Sequence, residues 1–268
     1  MSFKITIIIV TICTILLIIA SHAIRIFRPP AEITIHQINS LATNQLVTAS
    51  KGNSPVVVSN LPKMSFVPLS SDRPVSVYQR DPTVYSPEDT IPFGKFWRTH
   101  RNKGGVVYQH PYKPGSNVNT HPLYQVNSPL TIHRQHFLSI VPQNFHRRVG
   151  RSINEYNIYS LYSGKCRFQL YHPKYQQYLP AIRSKFSNYQ YTEILNHRIE
   201  SDNHKTKHAK FVEIILQPGQ ALIIPSIYSY GYEASEPSVV LNTVTNCPFT
   251  YLFQAGYHLS SLFLTRTT

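Results

Sequence analysis

"QPGQALIIPSIYSYGYEA", residues Gln217 to Ala234, is the stretch on which the reading of this chain turns. Pro218-Gly219 is a turn signal, and the apolar run that follows it stops at Pro225. Tyr228, Tyr230 and Tyr232 then recur at every second position, the period of a strand with one face against a core. Strand, proline-marked turn and strand is the resulting local plan. The segment contains no histidine.

The neighbouring segments follow the same logic. "KFVEIIL" (Lys210 to Leu216) reads as a strand before the Pro-Gly turn, and "PSVVLNTVTNC" (Pro237 to Cys247) as one after it. "NEYNIYSLYSGKCRFQLYHP" (Asn154 to Pro173) reads as two strands joined at Ser163-Gly164. "SPVVVSNL" (Ser54 to Leu61) is a short buried strand, and "GVVYQHPY" (Gly105 to Tyr112) another. Ser86-Pro87-Glu88-Asp89 is a helix start, with Phe93, Phe96 and Trp97 on one face and Gly104-Gly105 as the stop. Residues 31–46 read as a linker and lead-in helix, Gln109 to Pro142 as loop, 184–210 as a polar loop insertion, and the tail from Tyr251 as a closing helix. Many short strands with few helices imply a mainly-β barrel or double-sheet domain.

Composition agrees. The 268 residues include 18 Tyr, 13 Phe and 20 Pro against 10 Gly, which favours strands and ordered loops over a helix bundle. The 3 cysteines, Cys13, Cys166 and Cys247, form no CxxC pair, so neither a disulfide framework nor a structural zinc site is expected. With 26 Lys and Arg against 12 Asp and Glu, the net charge is +14, and such a surface is drawn to polyanions. The basic residues cluster at Lys95 to Lys103, His146 to Arg151 and His204 to Lys210. An anionic lipid surface or an acidic protein is the expected partner, nucleic acid less so, with a merely solvated basic face as the bland alternative.

At the N-terminus, Ile5 to Ala23 is uncharged and Ile-rich, and its 19 residues would span roughly 28 Å as a helix. The expectation is a single-pass membrane anchor over residues 1–30, with residues 31–268 as the folded domain. A cleaved signal peptide ending at Ser21-His22-Ala23 is the rival. Lys4 on one side and Arg25 and Arg28 on the other leave the orientation, and so the side of the folded domain, open.

The segments Asn157 to Pro173 and Leu216 to Tyr232 resemble those of the JmjC-like and cupin-like 2-oxoglutarate oxygenases, the family of the asparaginyl hydroxylase that inhibits hypoxia-inducible factor. The resemblance runs over most of residues 31–268 and implies a double-stranded β-helix (a cupin or jelly-roll fold) with flanking helices. In active members a His-x-Asp/Glu pair and a later His hold Fe(II) and leave positions open for 2-oxoglutarate and O₂. Aligned on Gly164 and Gly219, these positions fall here on Arg151, Ile153 and Tyr230. A guanidinium, a hydrocarbon and a neutral phenol make no such site. None of the 13 histidines is followed two residues later by Asp or Glu. The Lys that often grips 2-oxoglutarate is replaced by Cys166, while Asn157 matches an Asn common in the family's pocket.

The expectation is therefore a degenerate member, binding no metal or cofactor, with Asn157, Cys166, Tyr228 and Tyr232 lining a residual pocket or simply packing the interior. A non-catalytic binding or interaction module is the leading functional reading. A hydroxylase with an atypical ligand set and a basic structural protein on anionic lipid or nucleic acid are the alternatives. The cluster His197/Glu200/Asp202/His204/His208 reads as a solvated loop rather than a metal site, because it has no apolar stripe to hold a helix and carries Lys between its histidines, and His133/His136 is weaker still, with no carboxylate near it.

Overall fold

In the computed structural model the described residues are 3–28, 30–39, 53–62, 66–79, 87–113, 131–152, 154–179, 181–182, 192–195 and 208–251. They form a mainly-β structure of two sheets. The strands are β1 (His36–Ile38), β2 (Val56–Val58), β3 (Pro74–Tyr78), β4 (Asp89–Pro92), β5 (Val106–Pro111), β6 (His133–Val141), β7 (His146–Ser152) and β8 (Tyr156–Ser163). They continue with β9 (Cys166–Tyr171), β10 (Ala181–Ile182), β11 (Thr192–Leu195), β12 (Phe211–Leu216), β13 (Ala221–Pro225), β14 (Ser229–Ala234) and β15 (Ser238–Asn246). The larger sheet runs β1-β2-β13-β8-β15-β6-β5-β3-β4, and the smaller runs β10-β11-β7-β14-β9-β12.

The opening segment folds as its punctuation dictates. The turn at Pro218-Gly219 separates β12 from β13, and Pro225 ends β13 before β14 begins at Ser229. Each of these breaks also changes sheet: β12 and β14 lie in the smaller sheet and β13 in the larger. The same holds at Ser163-Gly164, where β8 and β9 are joined in sequence but do not pair. The chain thus shuttles between layers, and the layers face each other across a core. Val57, Tyr159, Leu222 and Ile224 of the larger sheet meet Phe168, Leu170, Leu216 and Tyr230 of the smaller. Each such fully buried side chain contributes about 1.5–3 kcal/mol. A second cluster covers the other face of the larger sheet, where Phe93 and Phe96 pack on Val75, Leu138, Ile158 and Leu241.

Some expectations are corrected. Residues 133–141, expected in a loop, form the nine-residue strand β6, paired along its whole length with β15. The Pro, Asn and His residues that suggested a loop lie mostly before the strand, whose second half, Phe137 to Val141, is buried. The helix expected from Ser86 begins only at Phe93, because residues 89–92 pair with β3. Within the expected lead-in helix, His36–Ile38 is a strand parallel to β2, and residues 40–46 lie outside the described residues. Thr192–Leu195, expected as loop, is a strand paired with β7. The tail is described only to Tyr251, where residues 248–251 make one helical turn.

The membrane expectation is corrected as well. The backbone is helical over Phe3–Phe27 (α1). Among the described residues, however, no helix is long and apolar enough to cross a membrane. The single-pass membrane localisation expected from Ile5 to Ala23 is overturned by this finding.

Gly164 makes the first layer change possible. Its φ is +86°, and a Cβ there would lie 2.2 Å from Ser238 Oγ and 2.5 Å from the Pro237 carbonyl oxygen. Gly104, at φ +81°, has nothing within 4 Å of the same position. Gly164→Ala therefore combines left-handed strain with overlap and is expected to lower unfolding free energy by roughly 3 kcal/mol, Gly104→Ala by only about 1 kcal/mol. Urea denaturation of the two variants measures the difference. Equal losses would show that the close approach of Ser238 is immaterial.

Candidate functional site

The site expectation centres on Tyr230, which lies on β14 and is fully buried between the sheets. Its neighbours are set by an irregularity in β7. Tyr230 pairs with Gly150, but Tyr232 pairs with Arg147, so three residues of β7 span two of β14. The extra residue shifts the phase of the strand, as a bulge does, and turns Arg147 inward. Arg147 is 5% exposed. Its Nη1 donates to the Tyr159 hydroxyl at 2.9 Å, and its guanidinium carbon lies 4.5 Å from the centre of the Tyr230 ring. The Tyr159 and Tyr230 hydroxyls are 3.1 Å apart.

Aromatic rings enclose this group. Tyr159 packs on Phe168 at 5.1 Å and edge-on to Tyr230 at 5.7 Å, and Phe168 packs on Tyr232 at 5.1 Å. The guanidinium meets a phenol oxygen and a π-face, and among the described residues no carboxylate pairs with it. Arginine stays protonated even here, so the interior holds a cation solvated by phenols. Burial raises the Tyr159 and Tyr232 hydroxyls well above the usual phenol range, Arg147 pulling only partly the other way. Both phenols are thus neutral near pH 7, hydrogen-bonding groups rather than anionic ligands.

The remaining candidates do not converge on this point. Arg151 lies on the opposite face of the smaller sheet: it pairs with Ser229, and Ser229 with Tyr171. Its Nη1 donates to Gln176 Oε1 at 2.9 Å, in the short helix Pro173–Tyr178 outside the interior. Ile153 lies outside the described residues. Asn157 is fully buried and belongs to a polar knot, its Nδ2 donating to Ser152 Oγ at 2.9 Å while Asn154 Nδ2 donates to the same oxygen at 2.7 Å. Tyr228 is near that end, because Ile227 N donates to the Ser152 carbonyl. Its ring meets the edge of His172 at 5.9 Å. Tyr232 and Cys166 lie toward the other end, pairing with Phe168 and Ala234 respectively. The expected pocket residues are therefore strung along the interior, with the Arg147 cluster between them.

The fit to an iron site fails on this geometry. Arg151 faces away, Tyr230 is a phenol committed to Arg147, and a fixed cation already sits at the centre. Among the described residues no group of three or more His, Cys, Asp or Glu is placed to hold a metal ion. His133 and His136 are on β6, bonded to the Tyr251 hydroxyl and to Thr243 Oγ1 respectively. His208 packs against Tyr178, and His197, Glu200, Asp202 and His204 lie outside the described residues.

Two measurements check this electrostatic picture. Burial pushes the Cys166 thiol up to about 11 and raises Cys247 too, so neither carries appreciable thiolate near pH 7. With Cys13 exposed, a thiol reagent is expected to modify one cysteine in the native protein and all 3 after denaturation. Rapid modification of Cys166 in the native state would contradict the burial. Burial first, and then Arg134, pushes His136 down to about 4. The unfolded chain binds that proton near 6.5. Stability is therefore present in full above about pH 6.5, falls as pH drops toward 4, and levels off below. His136→Gln should flatten the pH dependence of the urea midpoint over this window.

Arg147 is the residue that sequence reasoning missed. In "HRRVGR" it reads as one more surface charge, and only the bulge, visible in the pairing with β14, puts it inside. No protein-family description matches this chain, and no curated protein matches it either.

Proposed function

We propose that this protein is a non-catalytic binding module built on a double-stranded β-helix, similar to the cupin-like and JmjC-like oxygenases but without their iron chemistry. The observation that carries the reading is the buried Arg147 guanidinium against Tyr230. A cation at this depth repels an incoming dication, and the repulsion grows as the local dielectric falls. The two positions within the described residues where the resemblance places metal ligands supply neither an imidazole nor a carboxylate. The chemistry left to the interior is structural: it keeps two layers in register and presents their outer surfaces.

Those surfaces support the partner side of the reading. The net charge is +14, and Lys95, Arg98 and Lys103 are exposed within one short helical stretch. Acidic protein or anionic lipid is the matching partner chemistry, and its attraction weakens as salt rises.

The test is metal and turnover analysis of the full-length chain purified without a His tag. It is expected to carry no stoichiometric iron and to form no succinate from 2-oxoglutarate when ferrous iron and ascorbate are supplied. About one iron per chain with succinate formed would overturn the reading in favour of a hydroxylase with an atypical ligand set.

A further inference from the structure

A cleft of about 460 Å³ opens beside the helical stretch that follows β4, lined by Arg101, Gly104, Gly105, Ile140, Val141, Pro142, Pro237 and Ser238. None of Arg147, Tyr159, Tyr230, Tyr232 or Asn157 lines it, so it is a separate site from the interior cluster. Its volume is in the range of small-molecule pockets. The lining has a clear division of labour. Pro142 and Pro237 offer an apolar floor, with the buried Ile140 and Val141 behind them, and Arg101 offers one cationic head.

Arg101 is held in place from two directions. Its backbone N–H donates to the Phe96 carbonyl, closing the wide turn Phe96–His100, and Phe96 is fully buried in the core. Its guanidinium carbon lies 4.1 Å from the centre of the Trp97 ring. A guanidinium held over an indole face keeps its N–H donors, because the π-face uses none of them up. Arg101 forms no salt bridge among the described residues, whereas Arg167 pairs with Glu213. No carboxylate is in the lining, and Glu236, next to Pro237 in sequence, is exposed. Gly104, also in the lining, leaves open space where any other residue would project a side chain.

We propose that this cleft binds a small carboxylate carrying an apolar chain, the carboxylate on Arg101 and the chain along Pro142 and Pro237. A guanidinium alone would take any anion, and an apolar floor alone any hydrocarbon. Together they select a molecule with both.

The protein carries its own reporter. Trp97 is the only tryptophan in the sequence, and Arg101 lies on its ring. Titrating the full-length chain with hexanoate is expected to change Trp97 emission saturably, with heat detected by calorimetry. Hexanol and acetate, each lacking one half of the ligand, should be weaker by about tenfold or more. Arg101→Gln should weaken hexanoate by a similar factor, and Lys103→Ala should leave it unchanged, which separates a site from a diffuse basic surface. Should Arg101→Gln fail to fold, Gly104→Asp places a carboxylate at the open mouth and should suppress hexanoate binding equally. Neither emission change nor heat with hexanoate overturns the proposal. So do equal responses to hexanol or acetate, or full binding by both variants.

Discussion

The arrangement of the interior depends on one constraint: Arg147 is charged, buried, and has phenols rather than a carboxylate for partners. A buried ion left unsolvated costs several kcal/mol, so the groups around it must replace water. Tyr159 does so through its hydroxyl, Tyr230 through its π-face, and the contact between the two hydroxyls links them. Tyr159 comes from the larger sheet and Tyr230 from the smaller. The cation is therefore also a cross-link between layers, and the aromatic packing of Phe168 and Tyr232 excludes water from it.

The rest of the interior is arranged around this centre. At one end Asn157, Asn154 and Ser152 satisfy one another. There too His172 Nε2 donates to the carbonyl of Pro30 at 2.7 Å, while its Nδ1 accepts from Lys174 N. Those two bonds fix the neutral imidazole in one tautomer and tie the segment after α1 to the end of the sandwich. Ile33 and Ile35 continue that contact by packing on the inter-sheet core. At the other end Gly164 lets the turn between β8 and β9 press against Ser238. Polar groups hold the ends of this core and aromatic groups fill its middle.

Such a core has a consequence for chemistry. Iron oxygenase chemistry needs open coordination positions lined by anionic or imidazole donors. Here the central position is filled by a side chain of the same sign as the metal, and Tyr159 and Tyr232 are held neutral by burial. The thiol of Cys166 is also held protonated by burial. On the surface, the Arg101 guanidinium lies over the Trp97 ring and the Arg98 Nε donates to the Gly94 carbonyl.

The sequence by itself determined the strands with strong periodicity and clear punctuation. The turns at Gly164 and Pro218-Gly219, the stop at Pro225, the buried valines 56–58 and the alternating tyrosines of β14 were all legible, because each rests on local backbone or period-two chemistry. It also showed that Tyr230 belongs to the interior. What it left to the tertiary structure were the features that depend on a partner strand. Residues 133–141 follow a Pro-, Asn- and His-rich run that reads as loop, and their pairing with β15 makes them a strand. Arg151 and Arg147 both lie in one basic run, and nothing local says which faces inward. The bulge opposite Tyr230 and Tyr232 decides it, by giving β7 one residue more than β14 between those pairs. A one-residue offset exchanges the faces of a strand, so the chemistry of the interior was settled by register, which no single strand's sequence contains.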